Sequence, residues 1–177
     1  MEKMLNSHEV EMIAGSKVGI LPYSKLSSDV LDLYTSIYDK ILILYQTSHG
    51  PRSITGHWTA LKVLPNNEIA FYDSYGEQID NQLDHIKQSY RAKSNQVKSI
   101  LANWLGNSDY RIVHYNPHQH QFSSNICGRL AGLFLKSPDE PEAFNKKLKD
   151  LSKLTGIKIP ELSVDLTEPL LKIPSEF

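Results

Sequence analysis

The only cysteine in this chain of 177 residues is Cys127, within Gln121-Phe-Ser-Ser-Asn-Ile-Cys-Gly-Arg-Leu-Ala-Gly-Leu-Phe134. His57, Asp73 and Gln121, all upstream, are the residue types a thiol nucleophile needs. A cysteine hydrolase requires a base for the thiol proton, a group that orients that base, and donors aimed at the oxyanion formed when a carbonyl is attacked. In the order His57, Asp73, Gln121, Cys127, the imidazole takes the thiol proton and later protonates the leaving amine. The carboxylate holds the ring and stabilises its charged form without accepting the proton. The Gln121 amide and the backbone N–H of Cys127 donate to the oxyanion. Singly, each residue has a plainer role: most lone cysteines are inert core residues, and an aspartate before Ser-Tyr-Gly is often a turn former. A histidine at a strand start is commonly structural, and Gln121 could be a solvated loop residue. The joint order is what points to hydrolysis.

These residues need elements to position them. From Cys127, apolar residues recur at Leu130, Ala131, Phe134 and Leu135, the spacing of one buried helical face. Ser124 and Asn125 are suitable N-cap residues, which places Cys127 in the first helical turn. Unpaired backbone N–H groups and the positive end of the helix dipole there favour a thiolate. Gly128 adds no side chain beside the sulfur and is expected to let a substrate carbonyl approach. His57 to Leu64 and Glu68 to Tyr75 are rich in β-forming residues and flank Pro65-Asn66-Asn67, a tight hairpin connection. If the turn centres near Asn66 and Asn67, Asp73 falls opposite about Ala60, at the same open end as His57 but out of register with it.

Around this hairpin the remaining elements read as follows. Residues 1 to 26 form a short helix and an extended lead-in. Val30, Leu33, Tyr34, Ile37 and Ile41 follow helical spacing into the strand Ile41-Leu-Ile-Leu-Tyr45, and Thr47 to Gly56 is a polar loop. Leu83 to Leu105 is one long helix or two, with Gly106 as the stop. Tyr110 to Tyr115 is a strand broken by Asn116-Pro117. Ser137-Pro138-Asp139-Glu140 opens a further helix with Pro138 in its first position, lined by Phe144, Leu148, Leu151 and Leu154 up to Gly156. With Pro160, Pro169 and Pro174, residues 157–177 read as an extended C-terminal arm. The expectation is one domain over 1–177 with its core at about 20–156. Its class is α+β: a small, mainly antiparallel mixed sheet flanked by helices, with the nucleophile at the N-terminus of a core helix.

A formal net charge of -1 offers no general attraction for nucleic acid or anionic membrane. One cysteine allows no internal disulfide, and Met-Glu-Lys-Met-Leu-Asn-Ser-His-Glu lacks the apolar core of a signal peptide, so an intracellular, reducing setting is expected and secretion is not. No apolar run approaches the roughly 20 residues that span a bilayer. His114, His118 and His120 would suit a transition metal, but no acidic or cysteine ligand joins them at standard spacing and there is no His-Glu-x-x-His, so no metal or other cofactor is expected.

Gly56-His57-Trp58-Thr-Ala-Leu, Phe71-Tyr72-Asp73-Ser74-Tyr75-Gly76, and Tyr115-Asn116 with Gln121 and Cys127-Gly128 together resemble the adenain-like and Ulp/SENP-like cysteine peptidases. Within that clan the phrases look most like the maturation proteases of virophages, related DNA viruses and virus-like transposons. The resemblance implies the catalytic roles given above for His57, Asp73, Gln121 and Cys127. It also implies that Trp58 walls a narrow channel admitting small side chains, and that the substrates are viral capsid or other virion precursors cut beside glycine or small residues. Virion and host cytoplasm would be the place of action. A deconjugating isopeptidase of a ubiquitin-like protein is the alternative enzyme, although no ubiquitin-like recognition extension is evident. A catalytically inactive structural or binding relative is the third reading. The adenoviral relatives use DNA and a peptide as activators, but the charge here gives DNA no support and there is no second cysteine to tether a peptide, so an activator is left open.

Overall fold

The structure, a computed structural model, describes residues 4–49, 54–116, 119 and 125–172. Gln121, Ser124, His118 and His120 lie outside the described residues. β-branched and aromatic residues build five strands: β1 (Val18–Pro22), β2 (Lys40–His49), β3 (Ile54–Leu64), β4 (Glu68–Tyr72) and β5 (Ile112–Tyr115). They form one mixed sheet in the order β1-β2-β3-β4-β5. The two central ladders, β2–β3 and β3–β4, are antiparallel, while β1–β2 and β4–β5 are parallel. The class is therefore α+β as expected, with an even mixture of ladders.

Alternation along the central strands sends side chains to two cores. Leu42, Trp58, Ala60, Ala70 and Tyr72 face α1 (Ser7–Ala14), α5 (Cys127–Lys136), α6 (Pro141–Thr155) and α7 (Ile159–Leu171). Ile41, Ile43, Tyr45, Leu61, Ile69 and Phe71 face α2 (Ser28–Ile37), α3 (Gln88–Lys93) and α4 (Ile100–Asn107). Helix α5 is the most enclosed of these, with Leu130, Ala131, Phe134 and Leu135 fully buried. Phe134 stacks on Tyr72 with ring centres 4.9 Å apart, and Phe144 of α6 meets both rings edge-on. Glycines let α1 cross α5 closely: a side chain at Gly132 would meet Ile13 Cγ2 at 2.7 Å, and one at Gly128 would meet Val10 Cγ2 at 2.8 Å.

Several elements differ from the sequence expectation. Much of the polar stretch from Thr47 to Gly56 is strand, because β2 and β3 continue pairing through a bulge between Gln46 and Ser48. The helical pattern between Leu83 and Leu105 breaks into a 3-10 turn (Asn81–His85), α3 and α4, and α4 runs past Gly106 to Asn107. The proline that begins α6 is Pro141; Ser137 instead caps the C-terminus of α5, and Leu154 is 84% exposed. Residues 159–171 are helix rather than an extended arm. Pro160 sits in the first turn, where its missing N–H would have no intrahelical partner, and Pro169 falls in the last turn. Buried Leu162, Ser163 and Thr167 fix that helix on the body, and Arg129 of α5 bonds Thr167 and, at 2.8 Å, Glu168.

Gly132→Ala tests the close crossing. Alanine gains about 1 kcal/mol of helix propensity, but its methyl would press on the Cβ of Ile13 and the backbone of Val10 rather than on a flexible side-chain end. Overpacking of about 1–3 kcal/mol should win, giving a net loss of stability in urea denaturation. A stabilised variant would mean that α1 and α5 can separate freely.

Candidate active site

The β3–β4 turn determines whether His57 and Asp73 can meet. Asn66 and Asn67 both adopt the left-handed conformation, and the pairs Ala60↔Tyr72 and Leu61↔Phe71 place Asp73 across from Thr59, one residue from the expected position. That single step changes parity. Opposite Ala60, Asp73 would lie on the other face of the sheet from His57; opposite Thr59 it shares His57's face on the diagonal, within reach of long side chains. His57 Nε2 is 2.8 Å from Asp73 Oδ1, and both residues are buried.

β4 ends at Tyr72 while β3 extends back beyond His57, so the sheet has a notch beside β3. The N-terminus of α5 fills it. Cys127 is the first residue of that helix, and Ile126 precedes it as an N-cap residue without a side-chain cap, in place of Ser124 or Asn125. The His57 ring and the backbone N–H groups of Trp58 and Gly128 lie around the Cys127 sulfur, and each acts to lower the thiol pKa. Because Nε2 faces Asp73, Nδ1 is the ring nitrogen left for the sulfur. Three of the four expected catalytic residues are thus brought together, and the fourth, Gln121, is outside the described residues.

Burial alone pushes the Cys127 thiol up and is the largest single influence on it. The hydrogen bond and charge of His57, with the two backbone N–H groups, outweigh it and hold the thiol below its ordinary value of 9.0. For His57, burial pulls down, but the charge and hydrogen bond of Asp73, joined by Cys127, push it up to about 10. Both shifts favour the thiolate–imidazolium form.

Asp73 is itself held on every side. Oδ1 accepts the Tyr75 N–H at 2.8 Å, and Oδ2 accepts from Gln82 Nε2 at 2.8 Å. Its N–H donates to Asn116 Oδ1 at 2.9 Å, the Asn116 amide returns a bond to its carbonyl, and Gly76 N–H closes the turn on that carbonyl at 2.8 Å. The Tyr75 ring lies 4.7 Å from the imidazole, centre to centre. Gln82 had no sequence signal, since it sits in an irregular stretch. Asn116 stands in the sequence as a strand breaker and as part of the phrase that carries the resemblance, with no sign that its amide would bond Asp73. Further back, the Gln96 carboxamide bonds both the N–H (2.9 Å) and the C=O (2.8 Å) of Gln46, standing in for a strand partner beside the bulge, one residue from His57's own pair. Gly56, paired with Gln46, is required there because a Cβ would collide with the Tyr45 carbonyl.

Trp58 and Gly128, expected beside the substrate, are both buried and pack on each other. A Cβ on Gly128 would lie 3.1 Å from the indole, and the indole N–H donates to the Leu5 carbonyl at 3.4 Å. The missing side chain at 128 therefore makes room for α1 and the indole. Among the described residues one group has metal-ligand types, Glu68, His114 and Glu140. There the two carboxylates address different ring nitrogens of His114, at 2.8 and 3.4 Å, the pattern of a bridged imidazole rather than of ligands converging on one ion.

No protein-family model matches the chain. It is similar to a virophage protein. Over 169 residues, 92% of this chain and 93% of the other, it is 28% identical to "Uncharacterized protein V9" of Sputnik virophage. It is also 25% identical over 158 residues to mouse ATP-binding cassette sub-family A member 6, matching 78% of this chain but only 10% of that protein. Among the described residues, no helix is long and apolar enough to cross a membrane.

Two outcomes follow from the geometry. The rate of Cys127 alkylation by iodoacetamide should rise with pH through an inflection below 9.0, and in His57→Ala, where burial acts without the imidazolium, the inflection should move upward; equal inflections would dissolve the pair. Gln82→Ala leaves the buried Asp73 Oδ2 without that donor and should cost about 1–3 kcal/mol in urea unfolding.

Proposed function

We propose that this chain is a cysteine endopeptidase, of the adenain-like and Ulp-like kind, that processes virion precursor proteins. The observation that carries the reading is the series Asp73, His57, Cys127 at a helix N-terminus, with Asp73 bonded to the imidazole, the thiol pKa held down and the imidazole pKa held up. Similarity to a Sputnik virophage protein supports the viral setting.

In the first step the thiolate sulfur bonds to the scissile carbonyl carbon, and the carbonyl π pair moves to oxygen. The Cys127 backbone N–H and the Gln121 amide would donate to that oxyanion. As it collapses, the C–N bond breaks and the imidazolium proton passes to the leaving amine, which leaves a thioester and neutral His57. Water then gives its proton to His57 and its oxygen to the acyl carbon, and the C–S bond breaks to restore the thiolate–imidazolium pair. Asp73 stays ionised and holds the ring throughout. A site notched into a sheet edge suits an extended peptide with small residues at the cut.

Incubation with a co-expressed capsid precursor and, separately, with a ubiquitin-like precursor tests the substrate. Cleavage of the capsid precursor beside glycine or small residues is expected. Cleavage of the ubiquitin-like precursor alone would favour a deconjugating isopeptidase, and cleavage of neither, with ordinary thiol reactivity, an inactive binding relative. Cys127→Ala should abolish turnover with the fold intact, and Asp73→Asn should lower kcat by about 10⁴. Gln121→Ala should lower kcat by about 10²–10³ with KM little changed; an unchanged kcat removes it from the oxyanion role.

A further inference from the structure

At the end of the sheet opposite the nucleophile, Lys40 of β2 and Lys62 of β3 are direct cross-strand partners. Like charges placed this way destabilise a sheet, and one of them is buried: Lys62 is 6% exposed. Its Nζ donates to the carbonyls of Ser137 (2.6 Å) and Asp139 (2.8 Å) and sits 3.9 Å from the centre of the Phe134 ring. An ammonium has three donors, so the third N–H has no oxygen acceptor among the described residues. The carboxylate of Asp139, whose charge acts on Lys62, is engaged by Lys147 at 2.7 Å and by the Ser137 hydroxyl.

These lysines open on a cavity of about 280 Å³ that is also lined by Lys136, Asp39, Ser137 and Pro138. Three lysines line it against one acidic residue, Asp39, so the lining residues carry a surplus of two positive charges. The ammonium of Lys62 is fixed by two carbonyls and needs no reorganisation to receive a ligand. Half-buried Lys40 and exposed Lys136 at the C-terminus of α5 complete the wall.

We infer that this cavity is a binding site for a small free dianion of the phosphate type, held by Lys40, Lys62 and Lys136. The ligand's charge matches the surplus, and the cavity has ample room for such a group with its hydration. The site is separate from the cysteine and independent of the peptidase reading. Burial and the charge of Lys40 lower the Lys62 pKa to about 8, with Asp139 acting the other way; a bound dianion would reverse the Lys40 effect.

Thermal unfolding in about 20 mM inorganic phosphate, against chloride at matched ionic strength, is the test. A saturable rise in Tm is expected in the natural protein. In Lys40→Gln/Lys136→Gln, which keeps buried Lys62, the phosphate affinity should fall about tenfold or more. In parallel, the Lys62 side-chain titration followed by NMR should move upward from about 8 on adding phosphate. No rise in Tm, or an equal rise in both proteins, overturns the site. A short single-stranded oligodeoxynucleotide, added at equal total phosphate, separates the sources: if it raises Tm more than phosphate does, the free-anion assignment is wrong and the cavity reads a nucleic-acid backbone.

Discussion

The contact of buried His57 with Asp73 on one side and Cys127 on the other, in surroundings that favour an imidazolium beside a thiolate, is the interaction on which the site turns. Unpaired buried ions are prohibitively unfavourable, and pairing helps only where the remaining lone pairs also find donors. Here they do. The carboxylate receives Tyr75 and Gln82, and the sulfur receives Trp58 and Gly128. The extra negative charge of this three-group chain is thus met by neutral N–H dipoles. Low local dielectric strengthens each of those bonds and makes each loss more damaging, so the cluster is held as a unit.

The architecture serves that cluster from two sides. On one face, α5 is clamped between the sheet and α1, with glycines at 128 and 132 setting how near the helices come, while Arg129 ties its first turn to α7. The other core holds a second buried acid: Asp80 accepts from the hydroxyls of Tyr23 and Tyr45 and from the Ala102 N–H, so it ties β1's end, β2 and α4 together. Burial raises the pKa of Asp80, against those bonds. The two cores meet at β3, the strand that carries both His57 and, at its far end, Lys62.

Much of this could be read in the sequence because local signals and chemistry agreed. The hairpin around Asn66 and the helix at Cys127 follow from turn residues and periodicity, whereas the grouping of His57, Asp73 and the thiol rests on residue types in order and on the resemblance, since the register read from the turn is one residue off. The failures share a cause: they depend on partners distant in sequence. Residues 159–171 read as an arm from their prolines, whereas the buried Leu162 and Thr167 hold them on the body as a helix. Nothing local marks Gln82 as the donor to Asp73 or Gln96 as a surrogate strand. Nor does anything local mark the packing of the Trp58 indole against Gly128 and Leu5.

The three residues Pro65, Asn66 and Asn67 are exposed, far from the sulfur, and touch nothing in the site. Surface turns of that kind ordinarily tolerate gain or loss of a residue. This one does not have that freedom: side chains alternate along a strand, so one residue more or less would swing the carboxylate to the reverse of the sheet while every strand remained paired. The hairpin's length thus sets the site's geometry from a distance, and a shortened or lengthened turn would yield a well-folded protein in which Asp73 and His57 no longer meet.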